Sequence, residues 1–78
     1  MTYLRRSVLA PEAPGLTSRE WQVLDLLAQG LDNPGIAAAL DLAEQTVKNR
    51  ISRIYGKLGL KSRAEAVVWA RERGLGKR

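Results

Sequence analysis

Apolar residues recur at helical spacing in four stretches of the chain, each bounded by start and stop signals. The clearest stretch is 44–58, where Val47, Ile51, Ile54 and Leu58 fall at i, i+4, i+7 and i+11 and share one face of a helix. At about 100° per residue, the opposite face holds Gln45, Asn49, Ser52 and Gly56, with Lys48 and Arg53 at its edges. Upstream, Thr17-Ser18-Arg19-Glu20 reads as a capping box, and Leu16 and Trp21 have the spacing of a hydrophobic staple. Trp21, Leu24, Leu27 and Ala28 continue that first stripe, and Gly30 is placed to end it in a left-handed cap. Asn33-Pro34 opens a second helix, with Asn33 as N-cap and Pro34 at the first helical position. Ile36, Ala37 and Leu40 form its inner face, and the small run Ala37-Ala38-Ala39 permits close approach of a neighbour. A four-residue break, Asp41 to Glu44, separates it from the third helix, which Gly59 stops. Ser62-Arg63-Ala64-Glu65 repeats the capping-box pattern and launches a fourth helix to about Arg73, closed by Gly74. Four short helices without a strand signal predict an all-α fold.

A short helix, a tight break and a longer helix with a polar outer face make the pattern of a helix-turn-helix, whose second helix enters a DNA major groove. Amides and hydroxyls hydrogen-bond base edges, and flanking cations neutralise phosphates. The plainer reading of 44–58 is an amphipathic surface helix with a solvated polar face. Trp21 and Trp69 read as core aromatics. Val67 and Val68 are adjacent, so both cannot enter one narrow stripe, and at least one is expected at the surface or an interface. Tyr55 lies to one side of the buried stripe. Lys57 sits at a helix C-terminus, where the backbone dipole favours a cation with or without DNA.

Charge strengthens the nucleic-acid reading. The chain of 78 residues carries a formal net charge of +5, unevenly placed. Residues 1–43 hold three basic and five acidic residues, whereas residues 44–78 hold ten basic and three acidic. The positive charge therefore begins where the third helix begins, and a polyanionic partner is the simplest physical reason. With no Cys and no His, disulfides and the usual zinc frameworks are excluded, and no acidic cluster has ligand spacing, so no metal and no cofactor is expected. No pair of titratable residues is placed for chemistry, and an enzyme is not expected. No apolar run approaches the roughly 20 residues that cross a bilayer. A chain so short leans on oligomerisation for stability. Residues 1–15, with Pro11, Pro14 and Gly15, read as a flexible tail or linker in which Arg5 and Arg6 are solvated and Tyr3, Leu4, Val8 and Leu9 are free to pack elsewhere.

Together these residues resemble the LuxR/GerE-type DNA-binding domain. The resemblance runs through Leu16-Thr17-Ser18-Arg19-Glu20, Val23-Leu24, Ala28-Gln29-Gly30-Leu31, Ile36-Ala37 and Leu40. It continues through Thr46-Val47-Lys48, Ile54-Tyr55, Lys57-Leu58-Gly59, Ser62-Arg63 and Glu65-Ala66, in order and spacing. Each piece is weak alone; the ordered set is specific. It implies a four-helix LuxR-type helix-turn-helix domain over 16–76. It further implies sequence-specific binding of double-stranded promoter DNA by a transcriptional regulator, located in the cytoplasm with the nucleoid. Homodimerisation through the fourth helix is implied, with Ala64, Val67, Val68 and Arg71 at the contact. RNA polymerase is a further candidate partner, and a membrane is not one. The resemblance fits a stand-alone member or a fragment of a longer regulator equally.

Carried over by position, Lys48, Asn49 and Ser52 face the groove floor as base contacts. Thr46, Arg50, Arg53 and Lys57 are the backbone contacts. Asn pairs bidentately with adenine, and Lys favours guanine acceptors. Three positions depart from the family pattern. Pro34-Gly35 replaces a usual polar pair at the start of the second helix, removing a cation. Ala43 stands where Ser usually caps the recognition helix, a loss of roughly 1 kcal/mol unless Asp41 substitutes. Arg50 occupies a common His position at the border of the buried stripe, so its guanidinium must snorkel outward. These departures keep one alternative in view: a protein-interaction module on a helix-turn-helix scaffold that has lost DNA binding.

Overall fold

Three of the four helices begin on a side-chain cap, and the caps set where each one starts. The computed structural model describes residues 15–77, with α1 at Ser18–Ala28, α2 at Asn33–Leu40, α3 at Glu44–Leu58 and α4 at Arg63–Glu72. The expectations for Arg5, Arg6, Tyr3, Leu4, Val8 and Leu9 lie outside the described residues. Thr17 forms the reciprocal box: its hydroxyl accepts from the Glu20 amide at 3.1 Å, and Glu20 Oε1 accepts from the Thr17 amide at 2.9 Å. α2 starts on Asp32 and not on Asn33 as expected, because Asp32 Oδ1 accepts from the Gly35 amide at 2.9 Å, which puts Pro34 at the second helical position. A carboxylate at that point also meets the positive end of the helix dipole. Asn33 is drawn away: its Oδ1 accepts from Arg63 at 2.9 Å. Ser62 caps α4 by accepting from Glu65 N, but the Glu65 carboxylate reaches past the reciprocal position to the Lys61 amide at 2.8 Å.

α1 is the hub. It packs against α2, α3 and α4, and α2 packs in turn against α3. The core consists of Val23, Leu24, Leu27 and Ala28 from α1, Ile36 and Ala37 from α2, Val47, Ile51 and Ile54 from α3, and Ala66 and Ala70 from α4. Small residues on α4 let it lie close to α1. Of the alanine run in α2, only Ala37 is buried; Ala38 and Ala39 turn out to solvent at the 3.6-residue period. Trp21 and Trp69 are half-buried and meet across the α1–α4 contact with ring centroids 5.9 Å apart. The Arg73 guanidinium covers the Trp69 ring at 3.9 Å.

The segment after α4 folds back onto the end of α1. The Leu75 amide donates to Ala70 O, and the Gly76 amide donates to Asp25 Oδ1 at 2.8 Å. Gly76 has φ +79°, and a Cβ there would lie 2.5 Å from Ala28 Cβ and 2.7 Å from the Ala28 carbonyl carbon. Gly74 also has positive φ, +88°, but with open space around it. Gly74→Ala is therefore expected to cost only the left-handed conformation, about 1 kcal/mol. Gly76→Ala adds an unyielding backbone contact and should cost about 2 kcal/mol. Urea unfolding of the two variants checks the order; equal losses would show that the close approach to Ala28 contributes nothing.

Candidate nucleic-acid interface

Burying Val47, Ile51 and Ile54 against α1 and α2 turns the other side of α3 outward. Lys48, Asn49, Ser52 and Arg53 are exposed there, as is Gln45, while Thr46 and Arg50 are half-buried at the margins. The helix-turn-helix turn is set by Asp41, which ends α2 in the left-handed region at φ 57°. Leu42 N then bonds back to Ala37 O at 2.9 Å. Because Asp41 closes α2, it does not cap α3. Ala43 stands at that N-cap with no side-chain hydrogen bond. Restoring one by Ala43→Ser is expected to raise stability by about 1 kcal/mol and Tm by roughly 4–8 °C. Thermal unfolding by circular dichroism measures it, and an unchanged Tm would mean that the first turn gains nothing from a cap.

The cations of the domain fall into two groups. The side chains of Lys48, Arg50 and Arg53, like those of Arg19 on α1 and Lys61 after α3, make no hydrogen bond or ion pair with any described residue. Arg50 Nε, part of the guanidinium expected to turn outward, is buried and lacks a hydrogen-bond partner. By contrast, Arg63 forks between α1 and α2, donating to Asn33 Oδ1 and to Leu31 O at 2.8 Å.

Two expected site residues are engaged elsewhere. Lys57, expected on phosphate, donates to Glu20 Oε1 at 2.8 Å and to Gly15 O at 2.6 Å. Its ammonium thus closes the α1 capping box from the far side. Gly15, placed by the sequence in the tail, is joined to the domain by the same contact. Arg71, expected at the dimer contact, donates from Nε to Ala28 O at 2.9 Å and so caps the C-terminus of α1 in its own chain. Ala64 and Val68 remain exposed on α4, Val68 at 55%, and Val67 is half-buried. Ala64 and Val68 line a shallow apolar depression with Leu60 and Trp69.

Titration follows the same contacts. Burial alone pushes the Glu20 carboxyl up, but the Lys57 ammonium and the Thr17 amide together hold it below the ordinary carboxylate range. Burial raises the Tyr55 phenol, with Arg63 opposing. Neither shift sits on the outer face of α3. The structure also shows two links that sequence reasoning missed, Arg63 with the α1–α2 loop and Glu20 with Lys57. Their partners lie some 30 or more residues apart, 30 and 32 for Arg63 and 37 for Lys57. Periodicity carries no signal for either.

The family model described as bacterial regulatory proteins, luxR family (GerE), matches residues 14–70. The chain belongs to the LuxR family. That is a family of regulators and not of enzymes. Over 58 residues, 74% of this chain and 27% of the relative, the LuxR-family chain is 50% identical to the DNA-binding transcriptional activator DevR/DosR of Mycobacterium tuberculosis. It is 49% identical over 57 residues to the nitrate/nitrite response regulator protein NarL of Escherichia coli K12, covering 73% of this chain and 26% of that one. Likeness to the HTH-type transcriptional regulator MalT of Klebsiella pneumoniae is 41% over 76 residues, 90% of this chain and 8% of MalT. The chain thus spans about a quarter of the first two relatives and far less of the third. Among the described residues, no helix is long and apolar enough to cross a membrane.

Proposed function

We propose that this chain binds double-stranded DNA sequence-specifically, with α3 in the major groove, as the DNA-reading part of a transcriptional regulator. The observation that carries the reading is the gathering of three unpartnered cations on α3. Arg63, Arg71, Arg73 and Lys57 are held by their own chain; the side chains of Lys48, Arg50 and Arg53 have no partner among the described residues and lie together on α3, whereas the likewise unpartnered Arg19 and Lys61 stand singly on α1 and after α3. Three unpaired charges gathered on one helix, beside exposed amides and a hydroxyl, suit a polyanion that also presents base edges.

Lys48, Asn49 and Ser52 are assigned to bases, and Thr46, Arg50 and Arg53 to the sugar–phosphate backbone. Arg50 Nε is itself buried, so the phosphate contact falls to the outer guanidinium nitrogens. The likeness to DevR/DosR, a DNA-binding transcriptional activator, supports the reading. The domain is taken as 15–76, since Gly15 and Gly76 are both tied into it. Two copies are proposed to pair through the exposed Ala64 and Val68 with Val67 beside them, which would set two recognition helices on a two-fold-symmetric site. The cytoplasmic, nucleoid-bound location follows from this reading. Contact with RNA polymerase has no residue assigned to it.

Fluorescence anisotropy against a random duplex and a selected-site pool, at two salt concentrations, tests the proposal. Two phosphate-neutralising cations per chain, Arg50 and Arg53, in a pair, give an expected log–log salt slope of about −4. An enriched two-fold-symmetric site is the expected outcome of selection. No binding at low salt would discard the DNA reading in favour of a protein partner.

A further inference from the structure

Gln45 is not among the residues assigned to DNA, yet it is exposed on the same face of α3 as Asn49, one turn earlier. Its Nε2 donates to Asn49 Oδ1 at 3.1 Å. An isolated Asn on a recognition helix reads adenine by using both ends of its amide, accepting from N6–H₂ and donating to N7. Here the accepting end is already held from the side by Gln45. The free hydrogen-bonding capacity of Asn49 is then weighted toward the two N–H groups of Nδ2. Such a donor suits base edges rich in acceptors: guanine, with O6 and N7, and to a smaller degree thymine O4.

We infer that Gln45 is a specificity-determining residue which, by holding Asn49 Oδ1, makes Asn49 a donor to guanine and disfavours its bidentate pairing with adenine. The inference rests on α3 being the DNA-reading helix. Gln45 acts by positioning Asn49, and it carries no charge, so the phosphate contacts should not depend on it. Lys48, exposed beside the pair, favours the same acceptors. Together they point to a guanine-containing half-site.

The test is selection from a randomised duplex pool with the full chain, followed by anisotropy titrations on the enriched site with each base substituted in turn. The wild type is expected to prefer guanine at one position where Asn49→Ala abolishes the preference. Gln45→Ala frees Oδ1, and the guanine-over-adenine ratio at that position should fall about twofold, with the salt slope unchanged. Gln45→Glu can only accept, so it turns the amide over and presents Oδ1 to the groove. Adenine or cytosine should then be favoured there, on top of a uniform loss of affinity from the added charge. Free of DNA, the side-chain amide NMR signals of Asn49 should move in Gln45→Ala while the backbone spectrum stays that of the folded wild type.

Three results would overturn the inference. One is an unchanged base preference in both Gln45 variants. Another is a uniform loss for every site in Gln45→Ala with the same preference. The third is a wild-type preference for adenine at the Asn49-dependent position. A wild type that selects a site while the Gln45 variants read it identically sinks this inference alone; a wild type that binds no DNA sinks the DNA reading with it.

Discussion

Replacing Lys57 by methionine is expected to lower the unfolding free energy by about 2 kcal/mol near neutral pH, seen in urea unfolding as an earlier midpoint. Glu20 is almost wholly buried, 2% exposed, so without the ammonium at 2.8 Å its carboxylate keeps only the Thr17 amide on Oε1. A buried pair broken from one side typically costs about 3–5 kcal/mol. The smaller figure allows for the Lys57 side chain being one-third exposed, at 33%. The pH dependence supplies a second signature. In the wild type the folded-state pKa of Glu20 lies below its unfolded value. Its contribution is therefore fully present above about pH 4.3, the ordinary glutamate value, and is lost as the pH falls through the folded-state pKa. In Lys57→Met the remaining dominant influence is burial, which raises the pKa. The penalty should then shrink as the pH falls and Glu20 takes up a proton. The double variant Glu20→Gln/Lys57→Met should recover most of the loss. A penalty independent of pH would show that Lys57 contributes through packing and not through its charge.

On DNA the largest effect is expected from Lys48. Lys48→Ala should weaken binding to the selected site by about 1–3 kcal/mol per half-site, twice that for a paired complex, with a smaller effect on random duplex. Arg53→Ala should weaken both alike and lower the magnitude of the salt slope by about 1 per chain. The contrast separates reading from docking: equal losses for Lys48→Ala on both duplexes would make it a phosphate contact. Lys57→Met, assayed where it is fully folded, should leave the slope unchanged. A drop of about 1 per chain there would return Lys57 to the phosphate set.

Those three lysine and arginine variants also mark how far the sequence was legible. A helix wheel of 44–58 places Asn49 and Ser52 outward with Lys48 and Arg53 at the edges, and the structure has all four exposed. This works because a helix fixes the direction of every side chain relative to its buried stripe. Lys57 is equally basic and lies on the same helix, and the wheel cannot say that a buried carboxylate on α1 faces it. Arg71 is a second case: its guanidinium meets the α1 carbonyl at Ala28, 43 residues earlier, a contact that no wheel shows. Caps were read to within one residue, since they depend on neighbours three positions apart. The α2 cap moved from Asn33 to Asp32 because Arg63, from another helix, engages the asparagine.

The sequence by itself determined the four helices, their buried stripes, the break between α2 and α3, and the polar face of α3, all of which are local or periodic properties. Only the tertiary structure decided which cations remain available to a partner. That is a matter of what each side chain meets across the fold. Glu20 with Lys57, Arg63 with the α1–α2 loop, Arg71 with Ala28 and Gly76 against α1 all join residues far apart in the chain. Contacts of that kind arise only when helices pack, and no spacing along the chain encodes them.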